Sequence, residues 1–377
     1  MILENIRLLI AAQFAAPYEG NVISSFKYLE KLISKKFRGQ IAYLFPKAML
    51  NQPWAEEFIK KHKTYTSGNG KTLIFEEEAN EIINDFEPDL IYTHFEGYDI
   101  PLNKAVKRSG MIIRQIWHMR DTLNFIDHPL KALYQHKYFF KHYGIPFFNK
   151  KELRPSIIAN SQHEIDFIKR FRIGKKIKEQ VIPNGLDFSR IQTVNRDSNN
   201  ETYTFLAFGG RNVQKRIDIL LKAGDILNDK KIPFKIIITK GTDTEEVVNS
   251  FFNNNIPNWL TLTNQTTDLT SFFARGDCFI ITSIYETFCN AIAEATMAGL
   301  PVIRSEIKGT EWSKQLPSIQ SYEVLNANAL SEAMISAIEI PNESLSTEIY
   351  RSKEILESEY SMGIWTKRII DFFQNIP

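Results

Sequence analysis

The chain has 377 residues, room for two domains at about 150 residues each, and its 43% hydrophobic and 24% charged residues are those of a folded globular protein rather than a disordered or polytopic membrane one. Its 46 Lys and Arg against 44 Asp and Glu give a formal charge of +2, without the basic excess of a dedicated nucleic-acid binder, so no nucleic-acid partner is expected. Two cysteines, Cys278 and Cys289, exclude a disulfide framework and suit a reducing compartment, and with all seven histidines in the first half no local His/Cys metal site can be built.

Leu8 to Ala16 imitates the apolar part of a signal peptide, but Glu4 spoils the basic flank and Gln13 interrupts the run, so Ile6 to Ala12 is read as a buried first strand. No stretch approaches the roughly 20 apolar residues of a membrane span. A loop with Pro17, Gly20 and Asn21 leads to an amphipathic helix predicted over Val22 to Lys35, with Phe26, Leu29, Leu32 and Ile33 on one face. Short apolar runs follow at Gln40–Phe45, Leu90–Thr93, Met111–Trp117, Ile157–Asn160 and Gln180–Ile182, separated by helical stretches of crossover length. Between Ile191 and Tyr203 the composition turns to Gln, Thr, Asn, Asp and Ser, which is linker chemistry and places a domain boundary there. Strands are then predicted at Tyr203–Phe208, Phe234–Thr239, Trp259–Thr263, Cys278–Thr282 and Pro301–Ser305.

The expected class is therefore α/β: two doubly wound, Rossmann-like domains over 1–190 and 191–360, with a cleft between them at the carboxyl ends of the strands, where such sheets place ligands. Apolar residues recur at helical spacing in Trp365–Phe373 without naming a destination; 361–377 is set apart as a C-terminal helix and a candidate to pack back on the first domain.

Two motifs in the second half carry chemistry. Phe208-Gly209-Gly210-Arg211-Asn212-Val213-Gln214-Lys215-Arg216 ends a strand and opens a helix; paired glycines allow close backbone approach, and three cations within six residues suit a diphosphate. The plainer reading is a Gly-Gly turn before a solvated basic helix start. Tyr285-Glu286-Thr287-Phe288-Cys289-Asn290-Ala291-Ile292-Ala293-Glu294-Ala295 follows another strand end and closes on Gly299-Leu300-Pro301. Seven residues between the carboxylates put them about two helical turns apart, able to grip different parts of an extended ligand, while the helix start near Cys289 aims free amides at a phosphate. The plainer reading is an acidic helix with Gly299 as its cap.

These motifs, with Val181-Ile182-Pro183-Asn184-Gly185-Leu186-Asp187 and Ala298-Gly299-Leu300-Pro301-Val302 in the same order, resemble the retaining glycosyltransferases of family four, of GT-B fold, over about Gln13 to Trp312. The resemblance implies that Glu294 binds the ribose hydroxyls of a nucleotide-sugar, and that Glu286 with the amides of Thr287, Phe288 and Cys289 holds the donor sugar. It implies that Arg211 and Lys215 neutralise the leaving diphosphate in place of a metal, with Gly210 in the donor-binding loop. No Asp-x-Asp triplet occurs in the chain, in keeping with a metal-free site and no cofactor beyond the donor itself. The family has Gly where this chain has Thr287 and Cys289, and its Arg stands five residues before the Lys; Arg211 stands four before, leaving Arg211 and Arg216 as rivals, with Arg211 preferred.

In the first half, Gly20 and Asn21 resemble the first-strand loop facing donor and acceptor, and His118, in Ile116-Trp117-His118-Met119-Arg120-Asp121, resembles the strand-end histidine that reaches the donor sugar. The alternative is a histidine that caps a buried strand; Arg120 is then a ligand for an anionic acceptor or a partner of Asp121, and His94 is a weaker candidate for the sugar. The segment 131–151 carries five lysines and seven aromatics with no acidic residue, chemistry for peripheral contact with an anionic membrane or for a core helix with a basic face. The expectation is a cytoplasmic bacterial hexosyltransferase, working at or near the inner face of the membrane, that retains configuration and transfers to a glycan or lipid-linked glycan in surface-polysaccharide synthesis. The alternatives are a non-catalytic partner subunit, a sugar-nucleotide epimerase or a glycan phosphorylase. The epimerase would need acid/base carboxylates facing the sugar, and the phosphorylase a cofactor or free-phosphate site.

Overall fold

The structure, a computed structural model, describes residues 3–68, 76–120, 155–170, 178–194 and 202–376. The basic, aromatic segment 131–151 lies outside the described residues. The chain divides into two compact units, one of Met1–Asp187 with Met362–Pro377 and one of Phe188–Ser361.

The first unit is built on a seven-stranded parallel sheet: β1 (Arg7–Ala12), β2 (Gln40–Pro46), β3 (Lys63–Ser67), β4 (Leu90–His94), β5 (Arg114–Met119), β6 (Ser156–Ala159) and β7 (Glu179–Val181) in the order β3-β2-β1-β4-β5-β6-β7. β1 alternates faces and is buried on both, which is why its sequence is a continuous apolar run. Leu8, Ile10 and Ala12 join Phe26, Leu29 and Ile33 of the helix Gly20–Phe37 and Trp365, Ile369, Ile370 and Phe373 of the helix Met362–Gln374. Leu9 and Ala11 instead meet Ile83 and Phe86 of the helix Glu76–Phe86 and Leu102 and Val106 of the helix Asp99–Ser109.

The last helix is tied into this unit through the Pro183-Asn184-Gly185-Leu186-Asp187 turn. A Cβ on Gly185 would stand 2.5 Å from Cβ of Trp365, and the Met362 amide donates to the Leu186 carbonyl at 3.1 Å. Here glycine serves close packing of a loop on an indole.

The second unit holds six parallel strands, β8 (Tyr203–Phe208), β9 (Phe234–Thr239), β10 (Leu260–Thr263), β11 (Cys278–Ile281), β12 (Val302–Ser305) and β13 (Ile319–Tyr322), ordered β10-β9-β8-β11-β12-β13. One face packs Phe205, Ala207, Ile236, Ile238 and Ile280 against Leu220, Leu221 and Leu227 of the helix Ile217–Asp229 and Leu330 and Met334 of the helix Ala327–Glu339. In both sheets the strand order reverses once, between β1 and β4 and between β8 and β11, which opens a crevice at the carboxyl ends of those strands.

Two strands escape the sequence pattern. β3 (Lys-Thr-Tyr-Thr-Ser) and β13 (Ile-Gln-Ser-Tyr) are sheet edges, only partly covered, and lack the apolar run that marks the central strands. The first helix is also longer than predicted, Gly20–Phe37, because Arg38 ends it in the left-handed region at φ +51°.

Candidate functional site

The β8/β11 reversal brings the two motifs of the second unit together. The loop after β8 lies flat on the loop after β9: a Cβ on Gly209 would overlap the Thr239 carbonyl, and one on Gly241 would overlap the backbone of Gly209 and Gly210. The Gly209 and Gly210 amides donate to the hydroxyls of Thr239 and Thr244, each at 3.0 Å, and the Asn212 amide donates to the Asp243 carboxylate at 2.8 Å. Loop packing thus demands glycine at 209 and 241, whereas a Cβ on Gly210 would meet only the Lys215 side chain, and the Gly209 and Gly210 amides are engaged within the protein rather than turned to a ligand.

The loop feeds the short helix Asn212–Lys215, which stops at Arg216 (φ +47°) before the helix Ile217–Asp229 begins. The Lys215 ammonium donates to Glu286 Oε1 at 2.7 Å, and the Ser283 hydroxyl donates to the same oxygen at 2.9 Å. Backbone bonds lock the two segments: the Ile284 amide donates to the Gln214 carbonyl at 2.9 Å, and the Thr282 hydroxyl donates to the Lys215 carbonyl. Burial opposes the charge on Lys215 more than any single neighbour favours it, but the attraction and hydrogen bond of Glu286, with Cys289 and Tyr285 beside it, together hold the ammonium above its ordinary range.

Behind Glu286, Arg304 on β12 is fully buried and donates to Thr310 Oγ1 at 2.9 Å. This fixes the turn that presses Gly309 against the Glu286 carbonyl, where a Cβ would overlap. On the other side Phe288 stacks on Trp312 at 4.3 Å between ring centroids, and the Trp312 indole donates to the Phe288 carbonyl at 2.5 Å.

Cys289 takes φ +60° and caps the helix Asn290–Ala298 without a side-chain cap bond, and no acidic residue lies in that helix's first turn. The helix start presents its partial positive charge, worth ~0.3–2 kcal/mol toward an anion. Burial, then Glu286, pushes the Cys289 thiol up, so it stays neutral. Because this left-handed residue interrupts the helix, Glu286 lies outside it and half-buried Glu294 about one turn inside, so a helical repeat of two turns does not measure the separation of the two carboxylates.

The structure therefore gathers Lys215, Glu286, Thr287, Phe288 and Cys289 around one loop and helix start, with Glu294 on the helix that follows. Of the rival cations, Arg216 is spent on Asp218 in a two-point pair at 2.8 and 2.7 Å, whereas Arg211 is exposed and makes no ion pair among the described residues. Ser283, Gly309 and Trp312, which set the Glu286 loop, were not singled out from sequence; the signal available for Ser283 was its place three residues before Glu286 at a strand end.

The remaining candidates belong to the first unit. Gly20 opens the helix Gly20–Phe37 at φ +56°, and Asn21 accepts the Asp187 amide at 3.0 Å. His118 is buried in β5, with its Nδ1 2.5 Å from the Tyr92 hydroxyl, and burial and then Arg120 depress its pKa. Among the described residues, no helix is long and apolar enough to cross a membrane.

Residues 202–339 match the family described as Glycosyl transferases group 1. An uncharacterized glycosyltransferase of Methanocaldococcus jannaschii, MJ1059, is 23% identical over 246 residues, 60% of this chain and 58% of that protein, so the match spans less than two thirds of the relative. Among solved structures, sucrose-phosphate synthase from Thermosynechococcus elongatus superposes with a TM-score of 0.77 at 14% identity, covering 98% of both chains. Anabaena Alr3699/HepE, solved with UDP and glucose, gives 0.74 at 15%, covering 98% of this chain and all of that one. The lipopolysaccharide outer core galactosyltransferase WaaB gives 0.69 at 14%, covering 98% and 99%. The chain thus has the GT-B fold of two parallel-sheet Rossmann-like domains, and the match to the glycosyl transferases group 1 model lies within the second of them.

Proposed function

We propose that this chain is a metal-independent retaining glycosyltransferase that moves a hexosyl unit from a nucleotide diphosphate sugar to a hydroxyl of a glycan or lipid-linked glycan. The observation that carries the reading is the Lys215–Glu286 pair at the β8/β11 reversal, beside an N-terminus of the helix Asn290–Ala298 that lacks a side-chain cap. In it Glu294 takes the ribose hydroxyls, and Glu286 with the amides of Thr287 to Cys289 takes the donor sugar. Lys215 and Arg211 meet the charge that develops on the departing diphosphate.

No side chain is assigned as nucleophile. The acceptor oxygen attacks the anomeric carbon on the face the diphosphate leaves, and the leaving phosphate oxygen receives the acceptor proton. Catalysis then rests on positioning and charge stabilisation. Support for a nucleotide-sugar comes from HepE, solved with UDP-glucose, and for a surface-glycan role from WaaB.

The test is thermal stabilisation by UDP-, GDP- and dTDP-sugars in EDTA, with Glu294→Ala as control. A ligand at a hundred times its Kd adds about 2.7 kcal/mol, enough to move a melt. One nucleotide class is expected to raise Tm in EDTA and to lose that effect in Glu294→Ala. No shift with any nucleotide overturns the reading.

A further inference from the structure

The carboxyl edge of the first unit's sheet carries a polar cluster that the proposed chemistry of the second unit does not use. Tyr92 and His94 on β4 and Ile116 and His118 on β5 share one face, in register as Tyr92 with Ile116 and His94 with His118, and Arg120 follows one residue beyond the strand. His94 and His118 are 0% and 1% exposed, with ring centroids 5.2 Å apart. Among the described residues neither His94 nitrogen has a hydrogen-bond partner, and the Asn160 side chain is the polar neighbour that favours charge on His118. Burial keeps the Tyr92 phenol protonated, and its hydroxyl lies 2.5 Å from His118 Nδ1.

Arg120 is the charge of this cluster. Its guanidinium lies 5.3 Å over the Trp365 ring and, among the described residues, makes only long contacts, 3.4 Å, to the Ser25 hydroxyl, whose own proton goes to the Val22 carbonyl. Its Nε is buried without a partner, and no carboxylate among the described residues pairs with it. Burial pulls its pKa down to about 10, still charged at neutral pH. Ser25 belongs to the helix Gly20–Phe37, which begins beside this edge with no side-chain cap and no acidic residue in its first turn. A half-buried guanidinium that pairs with no carboxylate among the described residues has donors to spare, and its planar five-donor fork is the geometry that grips an oxyanion at two points.

We propose that this edge binds an anionic group of the acceptor, a phosphate or a carboxylate, in the fork of Arg120 beside the start of the helix Gly20–Phe37. The word acceptor rests on the transferase reading above; the anion site itself does not. The shared chemistry also fits the donor's diphosphate, so the experiment separates the two.

Binding of glucose 1-phosphate, glucuronate, neutral glucose and UDP to the full chain is measured by calorimetry for wild type, Arg120→Gln, Arg120→Lys and Glu294→Ala. Wild type is expected to bind the charged sugars at least tenfold more tightly than glucose. Arg120→Gln should abolish that preference while keeping UDP, and Glu294→Ala should lose UDP while keeping the preference. Arg120→Lys, which retains charge over Trp365 but not the fork, serves where the glutamine variant does not fold, and several-fold weaker binding of charged sugars is expected. The proposal falls if charged sugars bind no better than glucose, if their affinity ignores both Arg120 variants, or if Arg120→Gln loses UDP as it loses glucose 1-phosphate. Arg120-dependent binding of glucose 1-phosphate by a chain that ignores every nucleotide would uphold the anion site and sink the donor reading instead.

Discussion

At Cys289 the backbone adopts a conformation that costs a residue with a Cβ about 1 kcal/mol or more, at the point where the Glu286 loop becomes a helix. Cys289→Gly relieves that cost and forfeits the buried thiol, so its unfolding free energy should stay within about 1 kcal/mol of wild type. Cys289→Val puts a β-branched side chain in the left-handed region and should lose about 2–3 kcal/mol, read as a lower urea midpoint at unchanged m. A harmless valine would mean that the turn is not held as described. The backbone angle is invisible in the letters Thr-Phe-Cys, although the glycine that the family it resembles has at position 289 points to it. Motif reasoning picked out Lys215 and Glu286, which the fold joins, yet could not foresee that Arg216 turns to Asp218, since a spacing of two does not say which rotamers meet.

At the level of strands, what the sequence revealed followed burial. β8 and β9 begin and end where their apolar runs do, because both lie inside the sheet and are largely covered, with Lys235 the exposed exception in β9. Edge strands β3 and β13 feel no such demand, and no periodicity marks them. The ends of β4 and β5 carry a second kind of hidden information: two histidines whose neutrality is enforced by the sheet and helices around them. Burial, then Arg120, depresses the pKa of both. The unfolded chain therefore takes up protons below pH ~6.5 that the folded one refuses, and stability present above that pH is lost as it falls. Between pH 6.5 and 5.5 the two should cost the first unit about 2 kcal/mol, at about 1 kcal/mol each. Melting curves across this range check it, and the double variant His94→Gln, His118→Gln should flatten the slope; an equally steep slope in that variant would assign the effect elsewhere.

For the whole molecule, the chain leaves the first unit at Asp187, builds the second, and returns at Met362. The repeat of strand and helix and the doubly wound class were readable, whereas the units divide at Asp187/Phe188, ahead of the polar stretch 191–203, and the apolar face of the last helix says that something covers it without saying what. That face is Trp365, Ile369, Ile370, Phe372 and Phe373, all nearly fully buried, each worth about 1.5–3 kcal/mol of burial. Their sum is of the order of a domain's entire stability. Truncation after Ser361 is therefore expected to abolish cooperative unfolding of the first unit and leave that of the second. Hydrogen exchange reads this directly, and slow exchange persisting in β1 and β4 of the truncated chain would refute it. The same return sets an order of events on the ribosome. Everything from Met1 to Asp187 is synthesised before the second unit, yet its core waits for Trp365 and its neighbours, which emerge after it. The second unit, whose described core residues all lie within 188–361, can close first, while the earlier-made half exposes an apolar face to chaperones until the helix Met362–Gln374 has left the ribosome.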